Sequence, residues 1–209
     1  MIKYESYTLG ELQTNSFIVW NESSKFGVII DPAEDGVFLS EEVQRLGVKP
    51  VGVLVSHGHF DHALAVLDLI LIFDIPFYCS QKDFFLLDRQ SKTATHFLGR
   101  NVNIPDIKKI DNDLECIQKV DLGNETLEVI KTPGHTPGSV CFYNENSKLL
   151  FTGDTLFAGT RGRTDLSYSS TKSIYQSLKC LMELPPDTIV LPGHGNDTTI
   201  ARERSLYSF

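Results

Sequence analysis

The stretch Ser56-His57-Gly58-His59-Phe60-Asp61-His62 decides the reading of this chain. Three imidazoles and a carboxylate fall within six positions of it. Composition alone would give that pattern with odds of roughly 3 in 10,000, so a solvated, histidine-rich turn is the weaker reading. Upstream, Val51-Gly52-Val53-Leu54-Val55 is apolar and β-branched, like a buried strand. Downstream, Ala63 to Ile70 reads as a mostly buried helix. The cluster therefore sits where a strand ends and a helix begins, the edge at which open α/β sheets gather their chemistry. Gly58 is expected to let the backbone bend so that neighbouring imidazoles converge. Neutral imidazole nitrogens and carboxylate oxygens are ligands that zinc, iron or manganese accept.

The same arrangement recurs downstream. Glu125 to Lys131 alternates like a half-buried strand. It runs into Thr132-Pro133-Gly134-His135-Thr136-Pro137-Gly138-Ser139, where two prolines and two glycines stiffen the loop around His135. A strand from Lys148 to Thr152 ends in Gly153-Asp154. A strand from Thr188 to Leu191 ends in Pro192-Gly193-His194-Gly195. Gly27 to Ile30 is another strand, ending in Asp31; that carboxylate either orients a metal ligand from behind or closes an Asx-type turn. Each residue alone is weak evidence. Together, each following a strand, they describe one site.

The remaining pattern gives strands at Lys3 to Thr8, Ser16 to Trp20, Pro76 to Cys79 and Ser139 to Tyr143. Helices are expected at 38–46, 81–88 and 171–183, with a last short one from about Thr199. Residues 91–113 are polar and weakly patterned, and read as a long connection between two halves of a single domain, 1–209. His96, within it, reads as a loop histidine.

A net charge of −8 argues against a nucleic-acid partner, which would need a basic footprint. The apolar run from Leu64 to Phe77 is interrupted by Asp68, Asp74 and Pro76, so no membrane span is expected. No secretory signal is visible at Met1 to Glu5, and none of the four cysteines forms a Cys-x-x-Cys pair. These features point to a cytoplasmic protein with reduced thiols, Cys79 and Cys141 being core residues.

The set His57-Gly58-His59-Phe60-Asp61-His62, Gly134-His135-Thr136-Pro137-Gly138, Thr152-Gly153-Asp154 and Pro192-Gly193-His194-Gly195 resembles the metallo-β-lactamase superfamily. It is most similar to the short glyoxalase II-like hydrolases. The resemblance spans essentially the whole chain. It implies an α/β fold, an αββα sandwich of two mixed sheets flanked by helices and built from two similar halves. It also implies two divalent metal ions, zinc first, with iron or manganese as alternatives. His57, His59 and His135 would hold one metal, Asp61, His62 and His194 the other, and Asp154 both. Asp61 and Asp154 would tune a shared hydroxide that attacks the carbonyl of a small-molecule thioester such as an S-hydroxyacylglutathione. Classical metallo-β-lactamases lack the counterparts of His62 and Asp154, so β-lactam hydrolysis is not expected.

Two departures bear on substrate. Only 15 residues follow His194 (209 − 194), whereas classical glyoxalase II carries a further C-terminal region that grips glutathione. Glutathione specificity is therefore open. The loop Gly159-Thr160-Arg161-Gly162-Arg163-Thr164-Asp165 resembles that of the short relatives and of persulfide dioxygenases. Arg161 and Arg163 are candidates to meet a substrate carboxylate, or Arg163 braces the loop by pairing with Asp165. The alternative activity is a mononuclear-iron persulfide dioxygenase, using residues matching His57, His135 and Asp154. An RNA-processing nuclease ranks behind it, because charge and length count against it.

Overall fold

The computed structural model describes residues 1–207. β1 (Ile2–Leu9), β2 (Thr14–Asn21), β3 (Phe26–Ile30), β4 (Lys49–Leu54), β5 (Phe77–Cys79) and β6 (Asn112–Asp113) form one sheet in that order. β1 to β3 are antiparallel neighbours, and β3 to β6 are parallel. The parallel connections carry α1 (Gly36–Arg45), α2 (Val66–Phe73), α3 (Phe84–Leu87) and α4 (Gln90–Leu98).

The second sheet is built from β7 (Lys119–Asp121), β8 (Thr126–Lys131), β9 (Val140–Asn144) and β10 (Leu149–Gly153). A small ribbon, β11 (Leu156–Phe157) with β12 (Thr160–Arg161), follows. After α5 (Thr171–Leu181) the chain returns to that sheet with β13 (Ile189–Pro192) and β14 (Thr198–Thr199), and α6 (Ile200–Arg204) comes last. The spatial order is β14-β13-β10-β9-β8-β7, with β10 and β13 parallel.

Side-chain alternation explains the layering. β2 is buried along its whole length because each face meets a different core. Phe17 and Val19 pack with Val129, Phe142 and Phe151 of the second sheet. Ile18 and Trp20 pack with Leu39, Val43, Val66 and Leu69 of α1 and α2. Across the second sheet, Cys141, Leu150 and Val190 turn away from the shared core and meet Ile174, Leu178 and Leu181 of α5. The result is the αββα sandwich of two mixed sheets between helices.

Several sequence expectations are corrected. A 3-10 turn, Phe60–His62, intervenes before α2, which begins at Val66 rather than Ala63. Its Leu71 is 80% exposed, so α2 is buried on one face only. Residues 81–88 split into a 3-10 turn and α3. The supposed loop from 91 contains α4, and β6 still belongs to the first sheet, so residues 114–118 make the passage between sheets. Among the described residues, no helix is long and apolar enough to cross a membrane.

Candidate metal centre

Parallel neighbours end on the same side of a sheet, so β3 and β4 deliver Asp31 and the 56–62 loop to one edge. β10 and β13 deliver Asp154 and His194 likewise, and His135 lies on the loop after β8. All seven predicted ligands meet at this edge in two sets: His57, His59, His135 and Asp154, then Asp61, His62 and His194.

In the first set, His59 Nδ1 lies 3.0 Å from both His57 Nε2 and His135 Nε2. Asp154 Oδ2 lies 3.5 Å from His135 Nε2 and 3.9 Å from His57 Nε2. In the second, Asp61 Oδ2 is 3.5 Å from His62 Nε2 and 3.3 Å from His194 Nε2. Asp154 Oδ1 faces this second set, 3.4 Å from His62 Nε2 and 3.7 Å from His194 Nε2. Ligand atoms about 2.1 Å from a tetrahedral metal lie about 3.4 Å apart, and these separations bracket that value.

The outward nitrogens explain why the inward ones carry lone pairs. His135 Nδ1–H donates to Arg163 O at 2.9 Å. His62 Nδ1–H donates to Asp31 Oδ2 at 3.0 Å. His194 Nδ1 faces the carbonyls of Leu12 and Gln13. These oxygens only accept, so the ring proton lies outward. His57 Nδ1 meets Ser56 Oγ, whose own proton goes to Asp31 Oδ2. His59 Nε2 meets the Tyr168 hydroxyl at 2.8 Å. Two inward atoms, His62 Nε2 and Asp154 Oδ1, are buried without a hydrogen-bond partner, at a cost of about 1–3 kcal/mol each. A metal cation at the second set would satisfy both, and the spacing of the donors in the first set suits another, so the residues fit a pair of divalent metals.

The electrostatics hold His57 and His59 neutral, whereas the carboxylates around His62 draw it toward its protonated form, a proton that a bound metal would displace. Burial, then repulsion from His62, His59 and His135, holds His57 well below its ordinary pKa. Burial and the neighbouring His135 lower His59 to about 4. Burial also opposes protonation of His62, but Asp61, Asp154 and Asp31 outweigh it and raise that pKa. Burial would raise Asp61 and Asp154, yet the surrounding histidines, His62 foremost, lower both. The carboxylates are thus held as anions amid imidazole nitrogens.

Asp31 backs His62 and also accepts from Ser56 N at 2.6 Å, pinning the start of the histidine loop; it closes no Asx turn, since Ala33 N donates to Ser16 Oγ instead. Arg163 binds Asp165 through two 2.7 Å hydrogen bonds, the bracing arrangement. Arg161 does not reach the cleft: its guanidinium lies over the Tyr175 ring, 4.9 Å from the centroid. His96 sits exposed on α4.

Two residues escaped sequence reasoning. Tyr168, on the loop before α5, backs His59. Asp83, fully buried, accepts from Gly58 N at 2.8 Å, Gly138 N at 2.7 Å and the Thr136 hydroxyl at 2.6 Å. It ties the loop bearing His57 and His59 to the loop bearing His135. A Cβ on Gly58 would lie 2.7 Å from Asp83 O, and one on Gly138 2.7 Å from Asp83 Cγ. Gly58 is therefore required for this close approach, and its φ is not in the left-handed region as the bend reading would suggest. A lone Asp in a polar helix start carried no signal for this role.

The model of the metallo-beta-lactamase superfamily matches residues 9–194. A Haemophilus influenzae protein described as hydroxyacylglutathione hydrolase GloC is 34% identical over 201 residues, covering 94% of this chain and 92% of that protein. The crystal structure of BLEG-1, described as a B3 metallo-beta-lactamase, is similar at 35% identity and a TM-score of 0.88, covering 97% of each chain. That of TTHA1623 in a di-iron-bound form is similar at 34% identity and a TM-score of 0.84, covering 96% of each. Fold, edge-clustered donors and family match agree, and the chain belongs to the metallo-beta-lactamase superfamily of metal-dependent hydrolases.

Proposed function

We propose that this protein is a dinuclear metal-dependent thioester hydrolase, with S-hydroxyacylglutathione as a substrate class to test first. The observation that carries it is Asp154, whose two oxygens face two different donor sets. That is what a carboxylate shared by two metals requires. The relative described as a hydroxyacylglutathione hydrolase supports the thioester class. Zinc suits the nitrogen-rich sets, and the di-iron form of TTHA1623 makes iron an alternative.

His57, His59 and His135 would hold one metal, and Asp61, His62 and His194 the other. Bound there, divalent metals supply a hydroxide at neutral pH and polarise the scissile carbonyl. Asp61 is held in place by the Thr14 hydroxyl, which donates to its Oδ2 at 2.9 Å. Asp61 and Asp154 supply the anionic charge that balances the cations. The departing sulfur needs no strong acid, since a thiol pKa is about 8.5. Small-molecule access is through His194, the more exposed histidine of its set at 28%.

A persulfide dioxygenase would use His57, His135 and Asp154 and leave Asp61, His62 and His194 without a task. Their convergence on Asp154 Oδ1 therefore favours the hydrolase. The test is turnover by metal-replete protein of S-lactoylglutathione and simpler thioesters, beside a β-lactam and oxygen uptake with glutathione persulfide. Thioester hydrolysis is expected, with kcat reduced on the order of 100-fold or more in His194→Ala. Oxygen uptake or β-lactam turnover without thioester hydrolysis would show the reading to be wrong.

A further inference from the structure

Above the donor sets lies a cleft of about 300 Å³ whose floor includes His59, Asp154 and His194. The apolar part of its wall is made by Leu12, Phe60, Phe97 and Leu166. Phe60 is the residue immediately before Asp61, so this wall adjoins the reacting centre. Phe97 stacks on it with ring centroids 6.1 Å apart and planes at 26°. Thr93 and Phe97 both line the cleft, four residues apart on one face of α4. Phe97 is 57% exposed and Leu12 42%. Large apolar side chains gathered in solvent at the mouth of a site signal a ligand that covers them.

The charges in the cleft are equally specific. Among the described residues, Arg163 is the one Lys or Arg side chain lining it, and its charge is already paired with Asp165 through Nε and Nη2. Arg161 is directed at Tyr175, and Arg100, near the mouth in sequence, pairs with Glu11 and Glu34. Glutathione carries two carboxylates. Unpaired cations to receive them are absent from this lining, and desolvating a carboxylate without a partner is costly.

We propose that the apolar wall is a specificity subsite, and that the preferred substrate is a thioester bearing an uncharged apolar group of about hexyl or benzyl size on Leu12, Phe60, Phe97 and Leu166. This rests on the thioester-hydrolase reading. Hydrolysis adds water across the C–S bond: the carbonyl carbon gains the oxygen, and sulfur leaves as thiolate and takes up a proton. The apolar group sits either on the acyl side or on the sulfur side, because the wall flanks the reacting centre.

Two substrate series separate those arrangements. In one, N-acetylcysteamine is the constant thiol and the acyl group runs from acetyl through butanoyl to hexanoyl. In the other, lactoyl is constant and the thiol runs from ethanethiol to hexanethiol, with glutathione beside them. In one series kcat/KM should rise about two- to fourfold per added methylene, and S-lactoylglutathione should saturate weakly. Calorimetry with non-hydrolysable S-methyl and S-hexyl thioethers of N-acetylcysteamine reads the same wall without turnover. The hexyl compound should bind at least tenfold tighter. Phe97→Ala, on an exposed position with folding checked by circular dichroism, should erode both preferences at least fivefold. Flat dependence on chain length together with equal thioether affinities would overturn the subsite, as would preference for the glutathione thioester. Chain-length-dependent thioether binding without hydrolysis of any thioester would keep the subsite and remove the hydrolase.

Discussion

Asp83 shows how a side chain that touches no reacting atom can set the geometry of a site. Its two oxygens hold both histidine loops, so Asp83→Asn would set an amide N–H against a backbone N–H. The expected result is metal affinity reduced about 10- to 100-fold and stability lower by about 1–3 kcal/mol. A chelator competition titration and a denaturant series read the two. Unchanged metal affinity would reduce Asp83 to a packing role. The histidines also predict a pH dependence. His59 is lowered from 6.5 to about 4. Below pH 6.5 the unfolded chain takes up a proton that the folded chain refuses until near pH 4, so stability falls as pH falls through that window. His57 adds to the effect in the same direction. His62 and His194, raised by the carboxylates facing them, act with the opposite sign and add stability as pH falls toward about 5.5. Metal-stripped protein should therefore lose denaturant resistance chiefly between about pH 5.5 and 4, and His59→Gln should lose less. A pH-independent midpoint would contradict the burial of these rings as neutral groups. The seven donors were legible in the sequence because each follows a strand and most sit beside glycine. Asp83 and Tyr168 were not, because their partners lie 25 to 109 positions away.

The loop bearing His194 is held by the β1–β2 hairpin. Asn15 N donates to Gly193 O at 2.7 Å, and its side chain donates to Pro192 O at 3.0 Å and Gly195 O at 2.9 Å. Asn15→Ala leaves the buried Pro192 carbonyl without its side-chain donor, at about 1–3 kcal/mol, while the carbonyl of the exposed Gly195 can turn to water. It should lower metal content at the Asp61, His62, His194 set before the other. Equal loss from both sets, measured by stepwise metal titration, would show the hairpin to be a general support. The longer strands were legible from alternation and apolar runs. α4 was not: in Gln90–Leu98 only Gln90 and Ala94 are buried, so no apolar stripe marks it. β6 and β7, of two and three residues, are too short for periodicity to show. Apart from Asp68, α2 is apolar, so its sequence could not reveal how much of its other face is exposed.

The site joins the two sheets of the molecule. His57, His59, Asp61 and His62 follow β4 of the first sheet, whereas His135, Asp154 and His194 follow β8, β10 and β13 of the second. Each donor set draws on both sheets, so a metal in either would cross-link them where the sandwich opens. A ligand present at 1,000 times its Kd stabilises the folded state by about 4 kcal/mol, and each kcal/mol moves Tm by about 2–4 °C in a chain of this size. Chelation should thus lower Tm by about 8–16 °C for each metal removed, with reversal on adding zinc; an unchanged Tm would mean the sheets do not share the metals. The order of strands and ligands made the sandwich legible through family resemblance, while apolar patterning alone gave strands and helices without their layering. Every chemical claim depends on two metals sharing Asp154. Elemental analysis of metal-replete protein, normalised to protein by amino-acid analysis, tests it directly. The account predicts about two divalent metals per chain, falling toward one in His194→Ala. A firm ceiling of one in the unaltered protein would contradict it.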